Sequence, residues 1–254
     1  MKRISIVMPL LLFMATGCEK DPVTGDNETP TTGAVTVTFS PKFNNMPMTM
    51  NQFGYINLNG EDISISSWGI IMSDFSLIKK DSSKLKIGDG YAYVNLADNN
   101  LSLNYKDLTP GEYIGISYNI GVDQVTNHAD PSGWPATHPL NINYTGMHWG
   151  WAGGYIFHTF EGNFKKSGST TSSGFSYHTA TDGMLSLHRL FKNINISAGS
   201  STSVTIEANA DKFFLNDMSF TAVNTNHSGS QGDLAAMSVW VGNMNEVYKI
   251  GEVK

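Results

Sequence analysis

The chain has 254 residues, with 16 Lys and Arg against 22 Asp and Glu, for a net charge of −6 at neutral pH. Such an acidic surface repels phosphate backbones, so nucleic acid is excluded as a partner. A single cysteine excludes internal disulfides and thiolate metal clusters, which leaves His, Met, carboxylate or backbone oxygen to hold any metal.

Lys2 and Arg3 precede an apolar run from Ile4 to Ala15, closed by Thr16-Gly17-Cys18. A positive flank, a short apolar run and small residues predict a secretory signal over residues 1–17, shorter than the ~20 apolar residues a membrane span needs. The ending Ala-Thr-Gly-Cys resembles a bacterial lipobox, with Ala15 where Leu is usual, so Cys18 is expected to carry lipid at the new N-terminus. The mature chain then has 14 basic and 22 acidic residues, net −8, and is held on a bacterial membrane facing the periplasm or cell exterior. Residues 18–33 comprise this cysteine and a Thr-, Pro-, Gly- and acid-rich stretch without hydrophobic periodicity, read as a flexible tether. Fully extended, Glu19 to Gly33 reaches ~50 Å.

Residues 34–254 read as one β-rich domain. Val35, Val37 and Phe39 alternate in the two-residue period of a half-buried strand; so do Ile63 and Ile65, then Ile114, Ile116, Tyr118 and Ile120, then Val204, Ile206 and Ala208. Gly69 to Leu77 and Gly154 to Phe160 are nearly continuous apolar or β-branched runs, and Asn59-Gly60, Asp89-Gly90, Thr109-Pro110-Gly111 and Asp182-Gly183 supply turns. Many short strands with polar turns predict an all-β fold, an antiparallel β-sandwich with long loops. Leu234, Met237, Val241, Met244 and Tyr248 recur at helical spacing behind Asp233, a candidate N-cap, and predict a short C-terminal helix. The longest stretch without a strand pattern, Gly121 to Met147, contains two histidines and a tryptophan, a content that suits a functional loop.

Seven histidines are scattered at 128, 138, 148, 158, 178, 188 and 227, with no His-x-x-x-His pair. A lone histidine is most often a surface residue or a partner in a hydrogen bond, so a metal site must be assembled from distant loops. No Gly-x-Ser-x-Gly elbow, phosphate loop or zinc-protease helix motif occurs, and the chain is not expected to be an enzyme. Trp149 and Trp151 share a strand face as core or rim aromatics, and Glu161-Gly162 reads as an ordinary turn exit unless it closes a family signature.

Asn127-His128-Ala129-Asp130, the run Met147-His148-Trp149-Gly150-Trp151-Ala152-Gly153-Gly154-Tyr155 and the step Tyr177-His178 together resemble the MbnP family of copper-binding periplasmic proteins. The resemblance implies copper, as Cu(I) or Cu(II), held by His128 and His178, with His148, His227, Met147 and His138 as candidate further donors. It also implies a role in copper acquisition, buffering or delivery, with a copper-handling protein as partner. Some members carry, two residues before the first ligand, a tryptophan that becomes a kynurenine ligand; that position is Thr126 here, so no such ligand is expected. The rival reading is a surface lipoprotein sandwich without metal, recognising glycan or protein through Trp134, Trp149 and Tyr144. A shared metal with bonds of ~2 Å requires ring nitrogens within ~4 Å of each other.

Overall fold

A computed structural model describes residues 31–98, 101–150, 153–227 and 234–254. Cys18, Trp151 and Asp233 lie outside the described residues. The strands are β1 (Gly33–Phe43), β2 (Met46–Pro47), β3 (Tyr55–Ile56), β4 (Asp62–Lys79), β5 (Lys84–Lys86), β6 (Ala92–Asn95), β7 (Ser102–Leu108) and β8 (Gly111–Ile120). After a loop with two single-turn helices, α1 (Gln124–Asn127) and α2 (Ile142–Thr145), come β9 (Ile156–Lys165), β10 (Ser172–Ala180), β11 (Ser186–Ile196), β12 (Ser201–Asn209) and β13 (Thr225–His227). The chain closes with α3 (Leu234–Val247) and β14 (Tyr248–Val253).

The strands form a sandwich of two sheets. One is ordered β14-β12-β1-β2, with β7 also on β1; the other is ordered β11-β8-β4-β9-β10-β13, with β3, β5 and β6 on β4. Most neighbours are antiparallel, as the sequence predicts, but β1 runs parallel to β12 and β10 parallel to β13. Gly121 to Met147 carries no strand, in line with its sequence.

The inner faces follow the two-residue period. In β1, Val35, Val37 and Phe39 point inward and the intervening threonines do not. Across β4 and β9, Trp68 packs edge-on against Phe160, and Phe213 joins them from a 3₁₀ turn after β12. Helix α3 closes this end by laying Trp240 flat on Phe213, at 4.3 Å between centroids, beside buried Met237, Met244 and Val247. The inward stripe is therefore Met237, Trp240, Met244 and Val247, whereas Leu234 is 52% exposed and Tyr248 already belongs to β14. The reason is geometric: both a helix and the strand that follows it can turn Tyr248 inward, so residue spacing alone ran the helix one residue too far.

Glu61, fully buried, fixes the turn that leads to β13. It accepts from Ser219 Oγ, from the backbone N–H groups of Phe220 and Thr221, and from Asn57 Nδ2. Burial alone would raise its pKa, but these donors hold the carboxyl below its usual range.

Candidate metal centre

The outer face of the larger sheet carries a row of residues in register across four strands. Gly69 of β4 opposes Thr159 of β9, Thr159 opposes His178 of β10, and His178 opposes His227 of β13. The next row holds Ser67, Glu161, Ser176 and Thr225. Strands stand ~4.8 Å apart, so the imidazoles of His178 and His227 lie face to face, 4.5 Å between centroids and 4° from parallel.

The polar atoms of this patch converge. His178 Nε2 donates to Glu161 Oε1 in a short ion-pair contact. Ser176 Oγ lies 3.4 Å from His178 Nε2, 3.3 Å from His227 Nε2 and 3.5 Å from Glu161 Oε1. Burial lowers the pKa of His227, and the neighbouring His178 lowers it further against the opposing pull of Glu161, so this imidazole is neutral and able to donate a lone pair at neutral pH. Among the described residues, no three His, Cys, Asp or Glu side chains are arranged as a metal shell as the protein stands.

A hairpin folds over the patch. Trp149 N–H donates to the Gly154 carbonyl, Ile156 N–H donates to the Met147 carbonyl, and His148 bridges to Tyr155 between them. The hairpin lays Trp149 against both imidazoles, 6.1 Å from His178 and 5.9 Å from His227 between centroids. It also seats the buried thioether of Met147 on Gly69. A β-carbon added at Gly69 would stand 2.8 Å from Thr159 Oγ1 and 3.3 Å from Met147 Sδ, so only glycine admits this contact.

Asn127 and His128 anchor the hairpin's base. Asn127 Oδ1 accepts from Tyr155 N–H, while its amide donates to Asp182 Oδ1; His128 Nε2 donates to Asp182 Oδ2 at 3.1 Å. Asn127, helped by His128, holds the Asp182 carboxyl below its usual range against the opposing effects of burial and of Asp123. Gly154, at φ +66°, leaves room for Asn127, whose Oδ1 would sit 2.5 Å from any β-carbon there. His128, 58% exposed, is thus seated on Asp182, while His178 is seated on Glu161 and His227.

The other histidines have structural employment. His138 Nδ1 accepts from Leu140 N–H, so Nε2 carries the proton it gives Asp89, and its ring stacks on Trp134 at 4.1 Å. His148 Nδ1 accepts from Gly150 N–H and its ring meets the face of Tyr155. His188 contacts Ser186 Oγ and stacks on Tyr118 inside the core. His158 is wholly buried against Phe160, Phe213 and Trp240, on the inner face of β9.

Two assignments need correction. Glu161-Gly162 is no turn exit: both residues lie within β9, and Glu161 faces His178. Trp149 is a rim aromatic, partly buried against the core, but it lies in the hairpin over the histidines and not within a strand. Glu161 and Ser176 were not expected at a site, though Thr159, Glu161 and Asn163 alternate with Phe160 and Phe164, a period that places the carboxylate outward.

The sequence profile of the MbnP family matches residues 32–231. The chain belongs to the MbnP family. The structure of MbnP from Methylosinus trichosporium aligns with 80% of this chain and 83% of its own, at 13% sequence identity and a TM-score of 0.48. No curated protein matches this chain. The matched MbnP region contains β1 to β13, and so every residue of the patch from Gly69 to His227.

Proposed function

We propose that this protein binds copper outside the cytoplasm, on the outer face of its larger sheet, and serves copper acquisition, buffering or delivery. The observation that carries the reading is the pairing of His178 with His227 beside Glu161 under Trp149. The donor set suits copper. Two imidazoles on one side of a sheet satisfy Cu(I) with few ligands, and the Glu161 carboxylate adds the oxygen donor that Cu(II) prefers. His178 and His227 would hold the metal, with Glu161 beside them as a further donor. Ser176 and Glu161 orient the rings, and Trp149 shields them from water. His128, on Asp182, steadies the hairpin and lies outside the primary pair. Membership of the MbnP family supports the metal; the lipobox sequence and the tether support attachment to a membrane through Cys18.

The test is a competition titration of Cu(I) against a chromophoric chelator. His178→Ala and His227→Ala should each weaken binding by more than the roughly 10–100-fold that follows loss of an outer hydrogen-bond partner of a metal ligand, and His128→Ala by less. Binding should fade on acidification, as protons compete with the metal for imidazole. Tight Cu(I) binding that survives both His178→Ala and His227→Ala would overturn the assignment.

A further inference from the structure

The loop from Gly121 to Met147 does a second job at its far end. Where β6 of the larger sheet and β7 of the smaller one diverge, a cleft of about 330 Å³ opens. Tyr91 and Tyr93, just before and within β6, line it together with Asn104 and Tyr105 of β7 and with Pro139 and Tyr144 from the loop.

The walls are preorganised. Tyr105 stacks on Phe75 at 5.5 Å between centroids, and Phe75 stacks in turn on Tyr118. Tyr91 is wedged edge-on against Trp134 and His138, the pair that stacks at 4.1 Å, and His138 is pinned to Asp89. Trp134 and His138, two conspicuous residues of the long loop, therefore buttress this cleft. Tyr144 at the mouth is 52% exposed.

The lining chemistry narrows the occupant. No Asp, Glu, Lys, Arg or His lines the cleft among the described residues, so a charged ligand would lose water without gaining a counter-charge. Burial raises the pKa of Tyr93 and Tyr105, with Asp98 and Tyr144 adding for Tyr93 and Asp89 for Tyr105, so these phenols stay neutral and serve as both donors and acceptors. Flat aromatic faces edged by hydroxyl and amide groups complement a ring that has an apolar face and a polar rim.

We infer that the cleft between β6 and β7 binds a neutral sugar ring, stacked on Tyr144 and hydrogen-bonded by Tyr93 and Asn104. The site is separate from the copper patch and does not depend on it. A sugar-bearing surface or polymer would be the natural source of such a ring for a protein held outside the cytoplasm.

The test is titration of the full-length protein, labelled with ¹⁵N, with glucose, galactose, N-acetylglucosamine, maltose and cellobiose, reading backbone shifts. At least one sugar should move the resonances of Tyr93, Asn104 and Tyr144 saturably. Tyr144→Ala should weaken that binding roughly tenfold or more, as loss of a central aromatic contact does, and Tyr144→Phe should keep most of it. His178→Ala should leave it unchanged, and glucuronate should bind no better than glucose. Because Tyr144 is half exposed, an unchanged melting curve will confirm that Tyr144→Ala is folded. No saturable shift with any of the five sugars up to about 50 mM, a free energy near the weak limit of specific binding, would overturn the inference. So would shifts centred elsewhere, or affinity untouched by Tyr144→Ala.

Discussion

His158 should make this fold sensitive to acid for reasons that have nothing to do with a metal. Its ring is wholly buried and neither nitrogen has a hydrogen-bond partner among the described residues. Burial, with smaller contributions from His178 and His188, drives its pKa from the usual 6.5 to about 3; burial takes His188 to about 4. Both values are lowered, so above the unfolded pKa neither state binds the proton and these residues make stability independent of pH. As pH falls below about 6.5 the unfolded chain protonates and the folded one does not, so stability declines until the folded values near 4 and 3 are reached. One pH unit is worth about 1.4 kcal/mol per group, so at about pH 5 each histidine costs about 2 kcal/mol and the pair about 4. The assay is urea unfolding at about pH 8 and about pH 5 on metal-free protein, followed by fluorescence. Replacing His158 by Phe, which suits its aromatic neighbours, should cut the loss between the two pH values by about 2 kcal/mol. The variant should also be at least as stable at the higher pH, because it removes two unpaired polar atoms. An unchanged pH dependence in His158→Phe would refute this account.

Cys18→Ala should move the protein from the membrane to the soluble fraction with its fold intact, as read by fractionation and circular dichroism; unchanged membrane association would remove the lipid anchor. Gly69→Ala should lower the unfolding free energy read from urea denaturation by about 1–3 kcal/mol, the usual cost of overpacking, because the new methyl meets Thr159 Oγ1 and displaces Met147. The accompanying loss of Trp149 quenching by the histidines would report that the hairpin has lifted. Glu61→Ala should cost about 3 kcal/mol or more by stranding the buried donors of Ser219, Phe220 and Thr221, a loss that thermal unfolding would register.

The parts of the fold that could be read in the sequence are those where one face of a strand is buried. Val35, Val37 and Phe39, or Val204, Ile206 and Ala208, announce themselves because water on one side and a core on the other impose a two-residue period. β13 imposes no such period: Thr225, Asn226 and His227 are polar and form a strand only by pairing with β10. β14 was hidden because Tyr248 continued the spacing of α3. The same limit applies to the site. Family motifs pointed to His178, and the hairpin to Met147 and Trp149, but the partnership of His178 with His227 is a matter of register between strands far apart in the chain. Periodicity within a segment contains no register between segments. His158 was obscured for the opposite reason: a histidine inside an apolar run suggests a paired side chain, whereas this one is packed among rings without a partner.

The parallel pairing of β1 with β12 constrains how the protein can be made. Ala34 finds its partner in Ser201 and Lys42 in Asn209, so one edge of the first strand is completed only after nearly the whole chain has followed, whereas its other edge pairs earlier with β2 and β7. The larger sheet grows mostly by antiparallel steps, but the smaller one is organised around an N-terminal strand whose β12-facing edge must wait for a distant partner. Closing so long a loop is slow, and an apolar strand left waiting is a template for association. Covering that open edge until β12 arrives is thus a demand that this topology places on the folding of the chain.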